Sequence, residues 1–213
     1  MTGAMRPSTA TSADGPMNLY QSIALAANEQ AKGKGVMVVF SDGIYGGRDV
    51  QKISTCQTDA FDSKDFGGMG YMVDGVPYFY NDSVKCHTTE TEFDVSSLKE
   101  LPKVGVAYFT IDADPEILDY YKESGVQGIV IAGAGSGCYS EQWNNKIDEL
   151  AETGIPVVRC SRIGSGVITQ DDYFIGNIAR GNDLAPQKAA TLLRLILTVT
   201  NDIEQVQNMF DKY

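Results

Sequence analysis

Four stretches of the chain are almost continuously apolar: VMVVF (36–40), VGVAYFT (104–110), GIVIAGAG (128–135) and IPVVRCS (155–161). Unbroken apolar runs of this length, bounded by turn residues, read as strands covered on both faces. Between and after them the pattern changes to a helical period. SADGPMNLYQSIALAANEQAKGKG (12–35) offers Ser12 or Asp14 as a cap and Pro16 near the first turn. Leu19, Ile23 and Ala27, with Tyr20 and Ala24, then recur at helical spacing until Gly33 and Gly35. PEILDYYKESG (115–125), SEQWNNKIDELAETG (140–154, capped by Ser140), PQKAATLLRLILTVT (186–200) and DIEQVQNMFDKY (202–213) are four further predicted helices.

From residue 104 onward strands and helices alternate, which predicts a parallel sheet with right-handed crossovers. The front of the chain is different. FGGMGYMVDGVPYFYN (66–81) places Asp74-Gly75 between alternating apolar residues, a hairpin signal. DSVKCHTTETEFDVSSLKELPK (82–103) is polar and without sustained period, and reads as a linker with FDV (93–95) as an apolar anchor. The expected organisation is therefore an α/β protein. Residues 1–81 form part of a large N-terminal doubly wound domain, 82–103 the linker, and 104–213 a smaller C-terminal parallel-sheet domain. One helix, one strand and a hairpin are too few to cover both faces of VMVVF, and MTGAM (1–5) reads as the tail of a further strand. The half from about residue 103 is expected to be the better folded one.

Net charge is -11 and the pI near 4.5. An acidic surface repels phosphate backbones and anionic headgroups, which argues against nucleic acid and membranes as partners. No apolar run is long enough to span a bilayer, and MTGAMRPSTATSADG lacks the apolar core of a signal peptide. The four cysteines (Cys56, Cys86, Cys138, Cys160) form no CxxC pair and read as free thiols. The single histidine, His87, sits in KCHTTETE and reads as a solvated linker residue. A zinc site and a Ser-His-Asp or Cys-His arrangement are accordingly not expected.

Three stretches carry candidate chemistry. GAGSG (133–137) follows a strand and precedes a helix, where a phosphate cradle would sit. Its spacing is GxGxG, however, and no Lys-Ser/Thr pair follows, so a tight turn with positive φ is favoured. GGRDVQK (46–52) places Arg48, Asp49 and Lys52 beyond a strand. Either this is a solvated loop with one exposed ion pair, or Lys52 is drawn into a cleft where a partly desolvated amine can take a proton from a hydroxyl. TGAMRPSTATSADGPMN (2–18) is either the approach loop of a helix or a strand-end loop that meets a ligand.

Taken together, GAMRPSTATSADGPMNLYQSI (3–23), VMVVFSDGIYGGRDVQK (36–52), FDVSSLKELPKVGVAY (93–108) and NDLAPQKAATLLRLILT (182–198) resemble the bacterial-type L-asparaginases, the type II branch most closely. The resemblance is colinear across nearly the whole chain. It implies hydrolysis of asparagine to aspartate and ammonia, often with glutaminase activity, without a cofactor. It also implies a homotetramer built as a dimer of tight dimers, with active sites between subunits. A threonine hydroxyl is the implied nucleophile, in a threonine-lysine-aspartate relay whose lysine matches Lys52. The backbone around Ala4 matches a segment lining the substrate pocket. The family's TGGTI-like and THGTD-like motifs, which carry the threonines and the relay aspartate, do not occur in residues 1–213. The sequence is thus expected to be N-terminally truncated relative to the family and inactive as it stands; the alternative is a non-catalytic binding or interaction module. Two substrate-binding positions depart from the family. An asparagine is replaced by Cys138, with Ser136 nearby, and a glutamate after the TTQDA-like stretch has only Asp171 or Asp172 in ITQDDYF (168–174) as a counterpart. The type II branch is commonly exported, which suggests the same for the full-length protein.

Overall fold

The computed structural model describes residues 1–63, 65–174 and 176–213, and of these every side chain but that of Asp172. The chain divides into two compact units, Met1–Thr91 and Glu92–Tyr213.

The first unit is built on an antiparallel sheet. Strands β1 (Met37–Phe40), β2 (Gly43–Gly46), β5 (Gly70–Val73) and β6 (Val76–Phe79) lie in the order β1-β2-β5-β6. Helix α1 (Gly15–Ala26) packs on it, and β3 (Gln51–Lys52) pairs with β4 (Phe61–Asp62) as a separate ribbon. The Asp74-Gly75 hairpin is present, with φ of 51° and 79° at its two turn residues, as a type I′ turn requires. VMVVF is not a strand covered on both faces. It forms the first arm of a second hairpin, and SDGIY, which composition marks as turn-rich, supplies the turn and the second arm. Val36 is exposed, Met37 and Val38 are half-buried, and only Val39 and Phe40 are fully buried. Ser41 and Asp42 both take positive φ, 47° and 66°, without the Asn-Gly pair that usually signals this turn. Helix α1 holds them there. The Asn18 Oδ1 accepts the Ser41 N–H at 3.1 Å, and the Gln21 Nε2 donates to Asp42 Oδ1 at 2.8 Å.

Those two bonds also explain why α1 lies the other way up from its apolar pattern. Leu19, Tyr20 and Ile23 are exposed, whereas Asn18, Gln21 and Leu25 are buried. The helix presents amides to the sheet because the turn needs them. Alongside β1, the Met1 amine donates to Met37 O and Val39 N–H donates to Met1 O, the bond pair of a parallel strand. The core of this unit is small: Leu25, Val39, Ile44, Met69 and Met72.

The second unit is a parallel sheet of β7 (Val104–Tyr108), β8 (Gly128–Gly133), β9 (Val157–Ser161) and β10 (Ile178–Arg180), in that order across the sheet. The helices are α2 (Ile117–Glu123), α3 (Glu141–Ala151), α4 (Pro186–Ile196) and α5 (Ile203–Lys212). All six residues of β8 are buried, the signature of a strand with both faces covered. Ile129 and Ile131 pack with Leu118, Trp143, Ile147 and Leu150 from α2 and α3, and α4 packs against β7, β8 and β9. Ser140 caps α3 and Asp202 caps α5, each accepting an N–H of the first turn. The short edge strand β10 lies in a stretch where no period is visible.

Within the polar stretch 82–103, Thr88–Glu90 form one turn of 3-10 helix. His87 is half-buried rather than solvated. It lies against Gly35 and its Nδ1 is 2.9 Å from Thr88 Oγ1. Of the FDV anchor only Phe93 engages, its ring 5.0 Å from that of Tyr213; Val95 is exposed.

Candidate functional site

The predicted residues fall into two groups, one in each unit. In the first unit, β3 carries Lys52 directly opposite Phe61 of β4, and the Lys52 amine lies 5.0 Å over the Phe61 ring. Phe61 leans in turn on Phe40, ring centroids 4.7 Å apart, at the end of β1. VMVVF and GGRDVQK are thus joined through the tilted contact of two rings. The Lys52 side chain is exposed, not drawn into a cleft. Its Nζ stands 2.7 Å from Met5 Sδ, which places it beside the loop that carries Ala4. Arg48 and Asp49 make the ion pair expected of that stretch, 2.7 Å apart, but half-buried rather than exposed.

The Ala4 loop is held by Asp14, which precedes α1, and by Asn18 within it. Asp14, read from sequence as a helix cap, makes no capping bond. Its carboxylate instead accepts the N–H groups of Met5 and Arg6, both at 2.9 Å, and these bonds, that from Met5 foremost, hold its pKa below the ordinary carboxylate value. Asn18 Nδ2 donates to Gly3 O at 3.0 Å. The arrangement fixes the backbone from Gly3 to Arg6 and leaves Ala4 exposed.

In the second unit the GAGSG stretch is a closed turn. Ala134 and Cys138 exchange backbone hydrogen bonds of 2.8 and 2.7 Å, and Gly135 and Gly137 have φ of 52° and 81°. A Cβ on Gly133 would lie 2.3 Å from the Gly137 carbonyl carbon, so only glycine fits there. These glycines serve the turn, and Ser136 and Cys138 are displayed on its exposed side. Asp172 begins a 3-10 turn, Asp172–Phe174, and its side chain lies outside the described residues.

Arg159 links these two loops, and sequence reasoning missed it. It is 2% exposed in the middle of β9. Its Nη1 donates to Ser136 O at 2.7 Å, its Nη2 to Thr169 O at 2.8 Å, and its guanidinium lies 4.1 Å from the Phe174 ring centroid. Burial pushes its pKa down, yet guanidinium remains charged. One signal could have found it: a cation inside the apolar run IPVVRCS must have partners if that run is a buried strand. No cluster of three or more His, Cys, Asp or Glu able to hold a metal exists among the described residues.

Residues 1–85 match the family model described as "Asparaginase, N-terminal", and residues 103–210 that described as "Glutaminase/Asparaginase C-terminal domain". The chain is 42% identical over 214 residues to L-asparaginase 2 of Bacillus subtilis, covering 100% of this chain and 57% of that protein. It is 42% identical over 217 residues to L-asparaginase 2 of Escherichia coli (100% and 62%) and 41% identical over 220 residues to the glutaminase-asparaginase of Acinetobacter glutaminasificans (100% and 66%). The chain spans about three-fifths of the length of these curated relatives. Among solved structures, a probable cytoplasmic L-asparaginase from Campylobacter jejuni superposes with a TM-score of 0.95 at 44% identity, covering 100% of this chain and 68% of that one.

Proposed function

The chain belongs to the glutaminase/asparaginase family, and from that premise we propose that it is the lysine-bearing part of an amidohydrolase that converts L-asparagine and water to L-aspartate and ammonia. Lys52 is the base of the relay. A threonine hydroxyl is a poor nucleophile until a neighbouring amine removes its proton. Once activated, it adds to the side-chain amide carbon. Collapse of the adduct breaks the C–N bond and releases ammonia, which carries away the proton. Water then cleaves the ester to free aspartate. The threonine-bearing motifs do not occur in residues 1–213, and among the described residues it is the Ala4 loop that lies beside Lys52.

The observation that carries this reading is the contact of Lys52 with Met5, which brings the catalytic lysine against the segment proposed to line the substrate pocket. Ser136, Cys138 and Asp172 are proposed to contact substrate from loops that Arg159 ties together. Glutamine is proposed as a second substrate, since some relatives are named glutaminase-asparaginase. We further propose a homotetramer assembled as a dimer of tight dimers. Support comes from the exposed apolar side chains on α1 and on the β5–β6 hairpin: Leu19, Tyr20, Ile23, Tyr71 and Tyr78.

The test is ammonia release from asparagine by the chain alone and by the chain mixed with a polypeptide carrying the TGGTI-like and THGTD-like motifs. Activity is expected only in the mixture, and Lys52→Ala should abolish it. Turnover that survives Lys52→Ala would refute the role given to Lys52.

A further inference from the structure

The first unit contains three Asp-Gly pairs: Asp14-Gly15, Asp42-Gly43 and Asp74-Gly75. In such a pair the glycine nitrogen can add to the aspartate side-chain carboxyl carbon and close a five-membered ring, because no Cβ shields that nitrogen. Closure requires a carboxyl group and a glycine N–H that nothing else holds, and a backbone able to turn one toward the other. The three pairs differ on each count. At Asp14 the two carboxylate oxygens accept the Met5 and Arg6 N–H groups, both at 2.9 Å, and its carbonyl accepts the Asn18 N–H at 3.1 Å. The carboxylate bonds, that from Met5 foremost, favour the ionised form, which is the unreactive one. At Asp42 the carboxylate accepts from Gln21 Nε2 at 2.8 Å and the carbonyl from the Met72 N–H at 2.7 Å. Gly43 is buried and paired with Phe40, and a Cβ built on it would stand 2.5 Å from Tyr45 Oη. Asp74 is exposed at the tip of the β5–β6 hairpin, beyond the last paired residues Val73 and Val76. Among the described residues neither its carboxylate nor the Gly75 N–H has a hydrogen-bond partner. The side chain nearest to Gly75, that of Tyr20, is itself exposed.

From this contrast we infer that the Asp74-Gly75 turn is a site of spontaneous covalent modification, at which aspartate converts to isoaspartate with water as the co-reactant. The Gly75 nitrogen forms a bond to Asp74 Cγ. The C–OH bond of the carboxyl group breaks, and the hydroxyl leaves as water with the proton of the amide. Water then adds to the former main-chain carbonyl carbon of Asp74. The bond from that carbon to the Gly75 nitrogen breaks, and the nitrogen regains a proton. The chain now runs through Cβ and Cγ, and the former main-chain carbonyl is a free carboxylate. The water lost in the first step is regained in the second, nothing is oxidised or reduced, and mass and net charge are unchanged. The product has one more backbone atom in a two-residue turn, which type I′ geometry does not accommodate, so the pairing of Val73 with Val76 should loosen first.

The test ages the full unmodified chain in mildly acidic buffer, with a parallel sample in guanidinium chloride, and maps isoaspartate over time. The three pairs fall on three different tryptic peptides, 1–32, 35–48 and 65–85, so each is followed separately. Electron-transfer fragmentation distinguishes isoaspartate from aspartate at equal mass. In the folded chain conversion is expected at Asp74, with Asp14 and Asp42 at least roughly tenfold slower, because each must first be released from its bonds by local opening. In guanidinium chloride the three should convert at similar rates, since the reacting pair is the same. The aged folded chain should exchange its Val73 and Val76 amides faster than the fresh one. Equal rates at the three pairs in the folded chain, earlier conversion at Asp14 or Asp42, or an unchanged ranking in guanidinium chloride would each overturn the assignment.

Discussion

Replacing Arg159 by Leu removes the side chain that, among the described residues, bonds to both loops of the second unit's candidate site. Two bonds from a charged donor to buried carbonyls contribute about 1.5–3 kcal/mol each, so the gross loss is about 3–6 kcal/mol. Part of this is returned, because Arg159 is 2% exposed and the desolvation of its guanidinium, visible in its lowered pKa, no longer has to be met. The net expectation is a destabilisation of about 2–4 kcal/mol. Trp143 is the single tryptophan and is buried in α3, so its fluorescence in a urea titration reports the second unit alone. With a slope of roughly 1–2 kcal/mol/M the midpoint should fall by about 1–4 M. The effect should also be local: amide exchange should accelerate at Cys138 and Ile168 before it does in β8. Arg159→Lys, which can reach at most one carbonyl well, should fall between the two. An unfolding free energy for Arg159→Leu within about 0.5 kcal/mol of the parent would show that the two loops do not depend on the bridge.

Three further outcomes follow from the same structure. Glu92 accepts the Lys212 amine at 2.7 Å and the Tyr213 hydroxyl, which hold its pKa at about 2. A depressed carboxylate pKa gives stability that is present above the ordinary value near 4.5 and is lost as pH falls toward 2. With solvent screening the effect is about 1 kcal/mol, and Glu92→Gln should flatten the urea midpoint over that pH range. Gly133→Ala should disorder the GAGSG turn, because its Cβ would meet backbone at 2.3 Å, whereas Gly135→Ala meets nothing within 4 Å and should cost only about 1 kcal/mol for its positive φ; thermal melts of the pair decide this. Burial raises the Cys160 thiol to about 12, so a thiol reagent at pH 8 should label exposed Cys56 and Cys138 and spare Cys160 until the chain unfolds, as peptide mass mapping would show.

What the sequence determined by itself is the part of the molecule governed by local pattern. The strands at 104–108, 128–133 and 157–161 and the helices that alternate with them were legible because continuous apolar runs and helical periods need only their own residues to declare themselves. The Asp74-Gly75 hairpin was legible because its turn residues tolerate positive φ unaided. Motif spelling, rather than periodicity, pointed to Lys52 and Ala4.

Tertiary structure decided the rest, wherever a residue's conformation is fixed by a partner distant in sequence. Ser41-Asp42 turns because Asn18 and Gln21 reach across from α1, and for the same reason α1 buries its amides and exposes Leu19, Tyr20 and Ile23. Asp14 gave up the helix cap for the Met5 and Arg6 amides. Lys52 was brought to Met5 by a ribbon, β3–β4, two residues long on each side and too short to leave a periodic trace. Arg159 sits where the pattern asked for an apolar residue, because two carbonyls and an aromatic ring, from the loops that follow β8 and β9, satisfy its donors and face. A one-dimensional pattern records what each residue prefers on average; these residues follow the specific hydrogen-bonding groups that folding sets beside them.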